Sequence, residues 1–351
     1  MNYRQEGVSI IVPVYNGAAY IEKCLENVCS VDLPLKEVIV VNDGSTDDSP
    51  LIVENFIATC PDCSIELINQ QNSGVAEARN KGMDAAHYGW ITFVDADDLL
   101  IEHLCVVLDQ VANINADIIR FGFVKIKKRS LPGGTSMVKQ VSGNVYHDML
   151  LLMKNTIGFV KDEEKIDNPP ICVWAGFYKT QFIRKHHIRF PLGVKNGEDR
   201  IFNLQCLEHT DTVYLSDYPI YAYYSNPLSL TRRFKPDIRA ISIAFYSNLD
   251  AIVDRHPVLG SQRDAALVNN FFLEMGHFLF HPSNKMGLRE QWDYFVCTYR
   301  HFYKDVFERA DYLFNIPLIK RIQLWAMKKD LFALAFLSFY IKLLAKRLIQ
   351  R

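Results

Sequence analysis

The stretch Trp90-Ile91-Thr92-Phe93-Val94-Asp95-Ala96-Asp97-Asp98 joins an apolar run directly to three carboxylates within four residues. β-branched and aromatic residues such as Val94 and Phe93 are typical of a buried strand, and strands of an open α/β sheet end where ligands bind. Asp95 and Asp97 follow that strand end at positions i and i+2. Two such oxygen donors can hold one divalent cation together with the phosphates of a nucleotide. An isolated Asp-x-Asp is more often a solvated acidic turn, so the rest of the chain has to decide.

The residues before this stretch alternate between strand and helix patterns. Continuous apolar runs predict strands that begin near Val8, Lys36 and Ser64, and apolar residues at 3.6-residue spacing predict the helices between them. Such alternation over the first hundred residues predicts an α/β fold whose first strands form a parallel sheet with right-handed crossovers.

In such a sheet the loops at the carboxyl ends of the strands line one crevice. Pro13 and Tyr15 follow the first strand, Asp43 ends the second, and Arg79 lies in the helix before the fourth. These residues supply an aromatic ring to stack on a base, a carboxylate for its polar edge and a guanidinium for phosphate. The first loop lacks the G-x-G-x-x-G of a dinucleotide site, and the chain has no P-loop. A nicotinamide or flavin enzyme is therefore disfavoured.

A second pair of carboxylates, Glu198 and Asp199, follows Gly197 and opens a predicted helix. Taken alone, the pair is typical of acidic residues in a first helical turn, which the helix dipole favours by about 0.3–1 kcal/mol. Given the crevice upstream, we interpret one of these carboxylates as a general base.

Size and composition restrict the function further. With 351 residues the chain is long enough for two domains, and a net charge of −1 gives no argument for nucleic acid. The first residues lack the pattern of a secretory signal, so we expect a cytoplasmic location. Eight irregularly spaced cysteines predict reduced thiols rather than a disulfide framework. Cys60 and Cys63 form a lone C-x-x-C, for which we expect no zinc.

Five blocks of the sequence resemble the inverting glycosyltransferases of family 2, in that family's order and spacing. The blocks are Ser9–Asn16, Asn42–Asp47, Asn72–Asn80, Asp95–Asp98 and Gly197–Asp199. The resemblance covers roughly residues 7–235. It implies a GT-A fold, which is a Rossmann-like mixed sheet that is flanked by helices and binds a nucleotide sugar.

The resemblance also implies roles on the donor side. Pro13 and Tyr15 would border the base, Asp43 would accept a hydrogen bond from uracil, and Arg79 would lie near the base or the pyrophosphate. Asn42 stands where the family usually has Asp, so this contact to the base rests on Asp43 alone.

At the reacting bond, the resemblance implies that Asp95 faces the ribose and the sugar. Asp97 would bind Mn²⁺ or Mg²⁺ bridging the diphosphate, and Asp199 would be the base. Trp174 would wall the acceptor side, where Glu198 is also placed. Ala175-Gly176 replaces the more usual Asn-Lys after this Trp.

A basic loop ends the part of the chain that the resemblance covers. Ser229, Arg232 or Arg233 in this loop would touch the diphosphate, and a basic surface turn is an equally good interpretation.

We expect residues 1–235 to form the catalytic domain and residues 236–351 a helical region. Its tail, 318–351, has eight basic residues and one acidic residue around the apolar runs Leu331–Leu337 and Phe339–Ile341. Lys342 interrupts a possible membrane span, so the tail predicts a helix lying on an anionic membrane surface. The alternative is a core helix docked on the helical region.

The sequence thus predicts a metal-dependent inverting glycosyltransferase that moves a sugar, UDP-linked in our expectation, to a hydroxyl of a glycan acceptor. By analogy with bacterial surface-polysaccharide assembly, the acceptor would be lipid-linked and the enzyme peripheral on the inner face of the cytoplasmic membrane. A nucleotidyltransferase is the alternative enzyme, but the Gly-rich first loop with a Lys that it usually has is missing. A catalytically degenerate membrane-associated scaffold is the other alternative, and it predicts loss of carboxylates that are all present: Asp43, Asp95, Asp97 and Asp199.

Overall fold

The computed structural model describes residues 2–101, 103–128, 140–158, 160, 164–225, 234–309 and 318–349. The chain divides into two compact units. The first comprises Met1–Thr156 and Ile166–Pro227, and the second comprises Ile157–Lys165 and Leu228–Arg351.

The first hundred residues alternate between strands and helices as the apolar patterns predict. The strands of this part are β1 (Val8–Val14), β2 (Lys36–Asp43), β3 (Ile65–Gln70) and β4 (Trp90–Phe93). The helices are α1 (Tyr3–Glu6), α2 (Ile21–Ser30), α3 (Ser49–Thr59) and α4 (Val75–Ala85). β1 pairs in parallel with both β2 and β4, and β2 pairs in parallel with β3. The parallel arrangement expected for these four strands is therefore confirmed.

The rest of the first unit adds strands of both directions to the same sheet. The further strands are β5 (Leu99–Leu100), β6 (Ile118–Ile126), β7 (Asn144–Tyr146), β8 (Gly176–Lys179) and β9 (Val213–Tyr224). The helices are α5 (Leu104–Gln110), α6 (Met149–Ile157), α7 (Thr180–Lys185) and α8 (Glu198–His209). Within the described residues the strand order is β3-β2-β1-β4-β8-β6-β9-β5, with β7 also paired to β9. β8 is antiparallel to β4, so the sheet is mixed.

The core of this unit is formed by strand residues that are buried on both faces of the sheet. Every residue of β1 and of β4 is buried, which explains why both read as continuous apolar runs rather than alternating ones. α3 begins after Asp48, and neither Ser45 nor Thr46 caps it. Both residues instead bond to Asn16 in the loop after β1.

The expectation that all cysteines are reduced is also wrong. Cys29, near the end of α2, forms a disulfide with Cys63, although 34 residues separate them. A turn at Pro61 and Asp62 places Cys63 two residues before the start of β3 at Ile65. The pairing depends on how α2 packs beside β3, which the cysteine spacing does not reveal. The argument from cysteine usage for a reducing compartment therefore no longer holds.

The second unit is helical in its described part. Its helices are α9 (Ile238–Arg255), α10 (Gly260–Glu274), α11 (Leu288–Thr298), α12 (Lys304–Arg309), α13 (Leu318–Lys328) and α14 (Phe332–Ile349). Two π-helical turns, Met275–Leu279 and Tyr299–Tyr303, extend α10 and α11. Aromatic rings dominate the core, with Phe271 packed against Phe295 and Phe307. None of the helices described has the length and apolar character that crossing a membrane requires.

Candidate active site

The first two loops at the carboxyl edge of the sheet bond to one another. The Asn16 side chain accepts a hydrogen bond from the Thr46 N–H at 2.8 Å, and the Gly17 N–H donates to Ser49 Oγ at 2.9 Å. Pro13 is buried in β1, whereas Tyr15, just beyond the strand, is 52% exposed. The cross-bonding holds the Tyr15 ring at the edge of the sheet, where it is free to stack on a ligand.

Asp43, at the end of β2, is buried and holds the loop before α4. Its Oδ1 accepts hydrogen bonds from Gln70 Nε2 and from the Ser73 N–H, both at 2.7 Å. Its Oδ2 accepts from the Gly74 N–H at 2.9 Å. A carboxylate has about four acceptor positions, so these three bonds leave about one for a ligand.

The three carboxylates after β4 have different environments. Asp98 is fully buried, and it accepts hydrogen bonds from the Tyr221 hydroxyl at 2.8 Å and the Tyr224 N–H at 2.7 Å. Asp95 and Asp97 remain partly exposed. Burial, together with the negative charges of Asp95 and Asp97, raises the pKa of Asp98 to about 8. Asp98 thus joins the turn to β9, while the side chains of Asp95 and Asp97 stay partly accessible to solvent.

This pair of carboxylates fits a divalent cation. Burial is the main cause of the raised pKa of Asp98, and the negative charges of Asp95 and Asp97 add to it. A cation bound by Asp95 and Asp97 would offset those charges. In the part of the chain that the structure describes, no group of three or more His, Cys, Asp or Glu side chains could hold a metal ion. Mg²⁺ is commonly bound by only one or two carboxylates, with substrate phosphates and water completing its shell. Asp95 and Asp97 match that ligand set.

Arg79 brings together carboxylates from distant parts of the sequence. Its guanidinium contacts Asp95 Oδ1 and Glu198 Oε1 at 3.0 Å each and Asp199 Oδ1 at 2.5 Å. The Arg79 side chain is only 4% exposed. Burial alone would lower the pKa of Arg79, but the carboxylates, Asp199 first, raise it above its ordinary value. We call these four residues the Arg79 cluster.

The Arg79 cluster contains more negative than positive charge, which affects Asp199 most. Burial raises the pKa of Asp199 to about 7. The Arg79 guanidinium opposes this rise, while the carboxylates of Glu198 and Asp95 add to it. A carboxyl group with a pKa near neutrality can accept a proton and release it again, as a general base must.

The start of α8 determines where Asp199 lies. Gly197 precedes the helix with a φ of +87°, in the left-handed region that favours glycine. This conformation places Glu198 and Asp199 in the first turn of α8, where both reach Arg79 of α4. The left-handed backbone conformation thus explains why a glycine precedes the two carboxylates in the sequence.

Arg120 on β6 is a residue that the sequence analysis missed. It is fully buried, and its described hydrogen-bond partners are neutral: the Cys172 carbonyl at 2.5 Å, the Tyr178 hydroxyl at 3.4 Å and Cys172 Sγ at 3.4 Å. Asn203 Nδ2 donates to the same carbonyl at 3.0 Å. The next residue, Val173, donates its N–H to Asp199 Oδ2 at 3.2 Å. Arg120 and Asn203 therefore hold the loop that orients Asp199.

A sequence signal for Arg120 exists, although it is weak. Burial of a charged side chain costs free energy unless it has hydrogen-bond partners, so an arginine within the apolar run Ile118–Phe123 indicates a specific contact. Gly176, which stands where the family usually has Lys, lies next to Arg120. A Cβ at this position would lie 3.1 Å from Arg120 Nη1 and 3.0 Å from the Tyr178 ring. A residue larger than glycine at this position would press on the Arg120 side chain.

Trp174 lies at the edge of the same loop and stacks on β9. Its ring lies 4.9 Å from Tyr221 and 5.8 Å from Tyr223 by centroids, nearly parallel to both, and Phe123 meets its edge at 4.7 Å. Asp98 and the Asp95 N–H bond to the hydroxyl of the same Tyr221. Trp174 is thus connected to the Asp95 turn through one tyrosine.

The structure brings together only some of the residues named from the sequence. Arg79, Asp95, Glu198 and Asp199 form direct contacts. The Arg79 guanidinium contacts these carboxylates, and its expected place near the base or pyrophosphate stays a prediction. Ser229 and Arg232 lie outside the described residues.

A model of one protein family matches residues 9–161, and its description is Glycosyl transferase family 2. The match shows the family for residues 9–161, which contain four of the five blocks. The resemblance is thereby confirmed over that part of the chain, and the fifth block, Gly197–Asp199, lies outside it.

Individual relatives agree with this assignment. The chain is 32% identical over 231 residues to the uncharacterized glycosyltransferase EpsJ of Bacillus subtilis, covering 65% of this chain and 64% of EpsJ, less than two thirds of its length. It is 27% identical over 222 residues to TarS of Staphylococcus aureus, a poly(ribitol-phosphate) beta-N-acetylglucosaminyltransferase, covering 62% of this chain and 35% of TarS.

A solved structure confirms the fold. The crystal structure of S. aureus TarS 1–349 in complex with UDP-GlcNAc superposes with a TM-score of 0.62 at 20% identity, covering 96% of this chain and 90% of that one. This likeness confirms the GT-A fold expected from the sequence.

Proposed function

We propose that the chain is a metal-dependent inverting glycosyltransferase that transfers a sugar from a UDP-linked donor to a hydroxyl of a glycan acceptor. The observation that supports this most is the Arg79 cluster. It joins the turn after β4 to the first turn of α8, although 120 residues separate Arg79 from Asp199. One buried guanidinium thereby holds the proposed donor-side carboxylate Asp95 near the proposed base.

Asp199 is the proposed base. As the acceptor oxygen attacks the anomeric carbon, its proton passes to a carboxylate oxygen of Asp199, and the bond from that carbon to the nucleoside diphosphate breaks. A single in-line displacement inverts the configuration at the anomeric carbon. A retaining enzyme with a covalent intermediate would instead need a second carboxylate as nucleophile. The pKa of Asp199, raised to about 7, suits a group that must be ionised before the reaction and protonated after it.

The remaining residues bind and position the substrates. Asp97 and Asp95 would hold Mn²⁺ or Mg²⁺, which when bound would neutralise charge on the leaving diphosphate. Tyr15, Pro13 and the free acceptor position of Asp43 would bind the base. Because the donor-side contacts of Arg79 are taken by carboxylates, we assign it to positioning Asp95 and Asp199 rather than to phosphate binding.

The acceptor and its location are further parts of the proposal. Trp174 and Glu198 would border an acceptor that is a bacterial surface glycan carried on a lipid, so the first unit would act as the catalytic domain at the inner face of the cytoplasmic membrane. Similarity to TarS, named for transfer of N-acetylglucosamine to poly(ribitol-phosphate), supports a UDP-linked donor and a surface polymer as acceptor.

Thermal unfolding with Mn²⁺ and a panel of nucleotide sugars tests the donor site. A ligand at about 100 times its dissociation constant adds roughly 2.7 kcal/mol of stability to the unit that binds it. We expect UDP-linked sugars to stabilise the wild type only with metal, and Asp97→Ala to abolish that effect. Asp254→Ala, which removes an exposed carboxylate from α9, is the matched control and should respond like the wild type.

Two results would contradict the proposal. If no nucleotide stabilises the wild type, the degenerate scaffold becomes the better interpretation. If the donor binds but proton NMR of the first product shows retained configuration at the anomeric carbon, the donor site stands and the inverting role of Asp199 is wrong.

A further inference from the structure

The helical hairpin formed by α13 and α14 has an unusual surface. A three-residue turn joins the helices, in which the Leu331 N–H donates to the Ala326 carbonyl at 2.8 Å. Gln323 Nε2 of α13 donates to Ser338 Oγ of α14 at 2.8 Å, so the two helices are also bonded side by side. Ser338 therefore faces α13.

The inner face of the hairpin belongs to the core of the second unit. Phe332, Phe336, Phe339 and Leu343, spaced as one side of a helix, are buried there together with residues of α13. The expectation of a docked core helix is thus correct for this side of α14. These phenylalanines cannot also contact a partner outside the unit.

The outer face of the hairpin is apolar as well. Nine large apolar side chains, of 23 that are exposed among the described residues, lie within residues 318–344. They are Leu318, Ile319, Ile322, Trp325, Leu331, Leu334, Leu337, Ile341 and Leu344. On α14, Leu334, Leu337, Ile341 and Leu344 have the spacing of one helix side, opposite the buried one. A helix that is apolar on two sides needs a second apolar environment besides the core.

Charge identifies that environment. Residues 318–351 have a net charge of +7, whereas residues 1–317 have a net charge of −8. Arg321 and Lys328 flank the outer face on α13, and Lys329 follows in the turn, whereas the Lys320 ammonium lies over the ring of Phe272. Trp325, 50% exposed on this face, is a residue type that favours the boundary between lipid and water. An apolar surface with a cationic border matches an anionic lipid bilayer better than a protein partner.

We propose that the outer face of the α13–α14 hairpin is a membrane-docking surface, which lies in the headgroup region of an anionic bilayer. The hairpin lies on the bilayer rather than through it, because its inner face remains packed in the second unit. This surface does not depend on glycosyl transfer. It extends the expectation of a membrane-bound tail by assigning the contact to the outer face of the α13–α14 hairpin and the inner face to the core of the second unit.

Binding to lipid vesicles tests the surface directly. The full chain is sedimented with phosphatidylcholine vesicles that contain about 30% phosphatidylglycerol, and with phosphatidylcholine alone. We expect strong partitioning only to the anionic vesicles, weakened several-fold when salt rises from about 0.05 to 0.5 M, because the Debye length shortens from above 10 Å to below 5 Å.

A triple variant and a matched control separate this face from general hydrophobicity. Ile319→Ser, Leu337→Ser and Ile341→Ser together remove side chains that are 53%, 53% and 57% exposed. Leu51→Ser, Val258→Ser and Leu288→Ser remove side chains of matching exposure, 53%, 53% and 58%, from other parts of the chain. We expect the hairpin variant to lower the partition coefficient about tenfold or more, since each lost side chain gives up apolar burial in the bilayer, and the control to leave it unchanged.

Trp325 provides a readout that does not require the triple variant to fold. Its fluorescence should be quenched by lipids brominated near the headgroup, and Trp325→Phe should remove that quenching. Stabilisation by nucleotide sugar should be the same in the hairpin variant as in the wild type, so failure of docking and failure of the donor site are distinguishable.

Two outcomes would overturn the proposal. The first is equal vesicle binding by the hairpin variant and the wild type. The second is absence of vesicle binding combined with a wild-type dimer that the hairpin variant converts to monomer, which would assign the face to self-association instead.

Discussion

Each unit of this chain contains a buried arginine–carboxylate cluster, and the two clusters differ in their balance of charge. In the Arg79 cluster one guanidinium faces three carboxylates, and Asp95 and Asp199 keep side-chain exposures of 31% and 16%. In the second unit Arg239 faces one carboxylate, Glu274, which is 1% exposed. The first cluster has surplus negative charge near solvent, and the second has none.

The second cluster satisfies its carboxylate completely within the unit. Glu274 Oε1 accepts from Arg239 at 2.7 and 3.0 Å and from the Tyr294 hydroxyl at 2.6 Å, and Oε2 accepts from the Tyr303 hydroxyl at 3.1 Å. The Arg239 guanidinium also lies over the rings of Tyr294 and Phe302. We call these residues the Glu274 cluster.

The difference separates a structural ion pair from a reactive one. A carboxylate that is paired and fully hydrogen-bonded has no capacity left for a substrate proton. Burial, together with the neighbouring charges of Glu198 and Asp95, raises the pKa of Asp199, which can therefore exchange a proton. We therefore expect substitutions in the Glu274 cluster to affect stability and substitutions around the Arg79 cluster to affect turnover.

The largest expected effect comes from Asp199→Asn. The amide keeps the size of the side chain but cannot take the proton, so kcat should fall by about 10²–10⁴-fold, the usual contribution of a general base. The measurement is steady-state transfer with the best-stabilising nucleotide sugar. Donor-induced thermal stabilisation should persist. Activity within a few-fold of the wild type would remove Asp199 from the mechanism.

Glu274→Leu should unfold the second unit more easily. Loss of the carboxylate removes the shared acceptor of Arg239, which is 28% exposed, and of the Tyr294 and Tyr303 hydroxyls. Leaving such donors unsatisfied costs about 1–3 kcal/mol, which denaturant unfolding can measure. Adding Arg239→Met should recover only the part of this loss that comes from the guanidinium. If the single variant costs nothing, the Glu274 cluster is not structural.

Arg120→Met should reduce turnover without loss of donor binding. Only Asn203 would then hold the Cys172 carbonyl, and the Val173 N–H that orients Asp199 would move. A misplacement of about 1 Å at such a site can cost up to about 10²-fold in rate. Arg120→Lys, which retains a donor and the charge, should recover part of kcat. The measurement is kcat at saturating donor. Equal kcat values of the Arg120→Lys and Arg120→Met variants would contradict a positioning role.

The smallest expected effect is a shift of the pH profile in Glu198→Gln. Asp199 must be ionised to act, so the kcat/KM of the wild type should rise with pH through about 7. Removing the negative charge of Glu198 favours the ionised form and should move this rise to lower pH. Stability has the opposite pH dependence: because the folded pKa of Asp199 is raised, the stability that the protonated carboxyl contributes is lost as pH rises through about 7. An unchanged profile would show that Glu198 does not act on the base.

Much of the fold could be predicted from the sequence because its signals are local. The runs at Val8, Lys36 and Trp90 are continuous and apolar because those strands are covered on both faces. The carboxylates after β4 and the Glu198–Asp199 pair could be chosen as candidate site residues because each group lies within a few residues of sequence. The strand direction of β8 and the extent of β9 were not predicted, because pairing partners are decided by long-range contacts.

The sequence alone determined the family, the GT-A fold and the identity of the carboxylates. Tertiary structure decided their relations: Arg79 faces three carboxylates rather than open solvent, Cys29 meets Cys63, and Arg120 reaches the Cys172 carbonyl. These contacts join residues that are 16 to 120 positions apart, and all except Arg79–Asp95 span 34 positions or more. Proton affinity and exposure depend on such neighbours and on burial, and a pattern that is local in the sequence does not contain them.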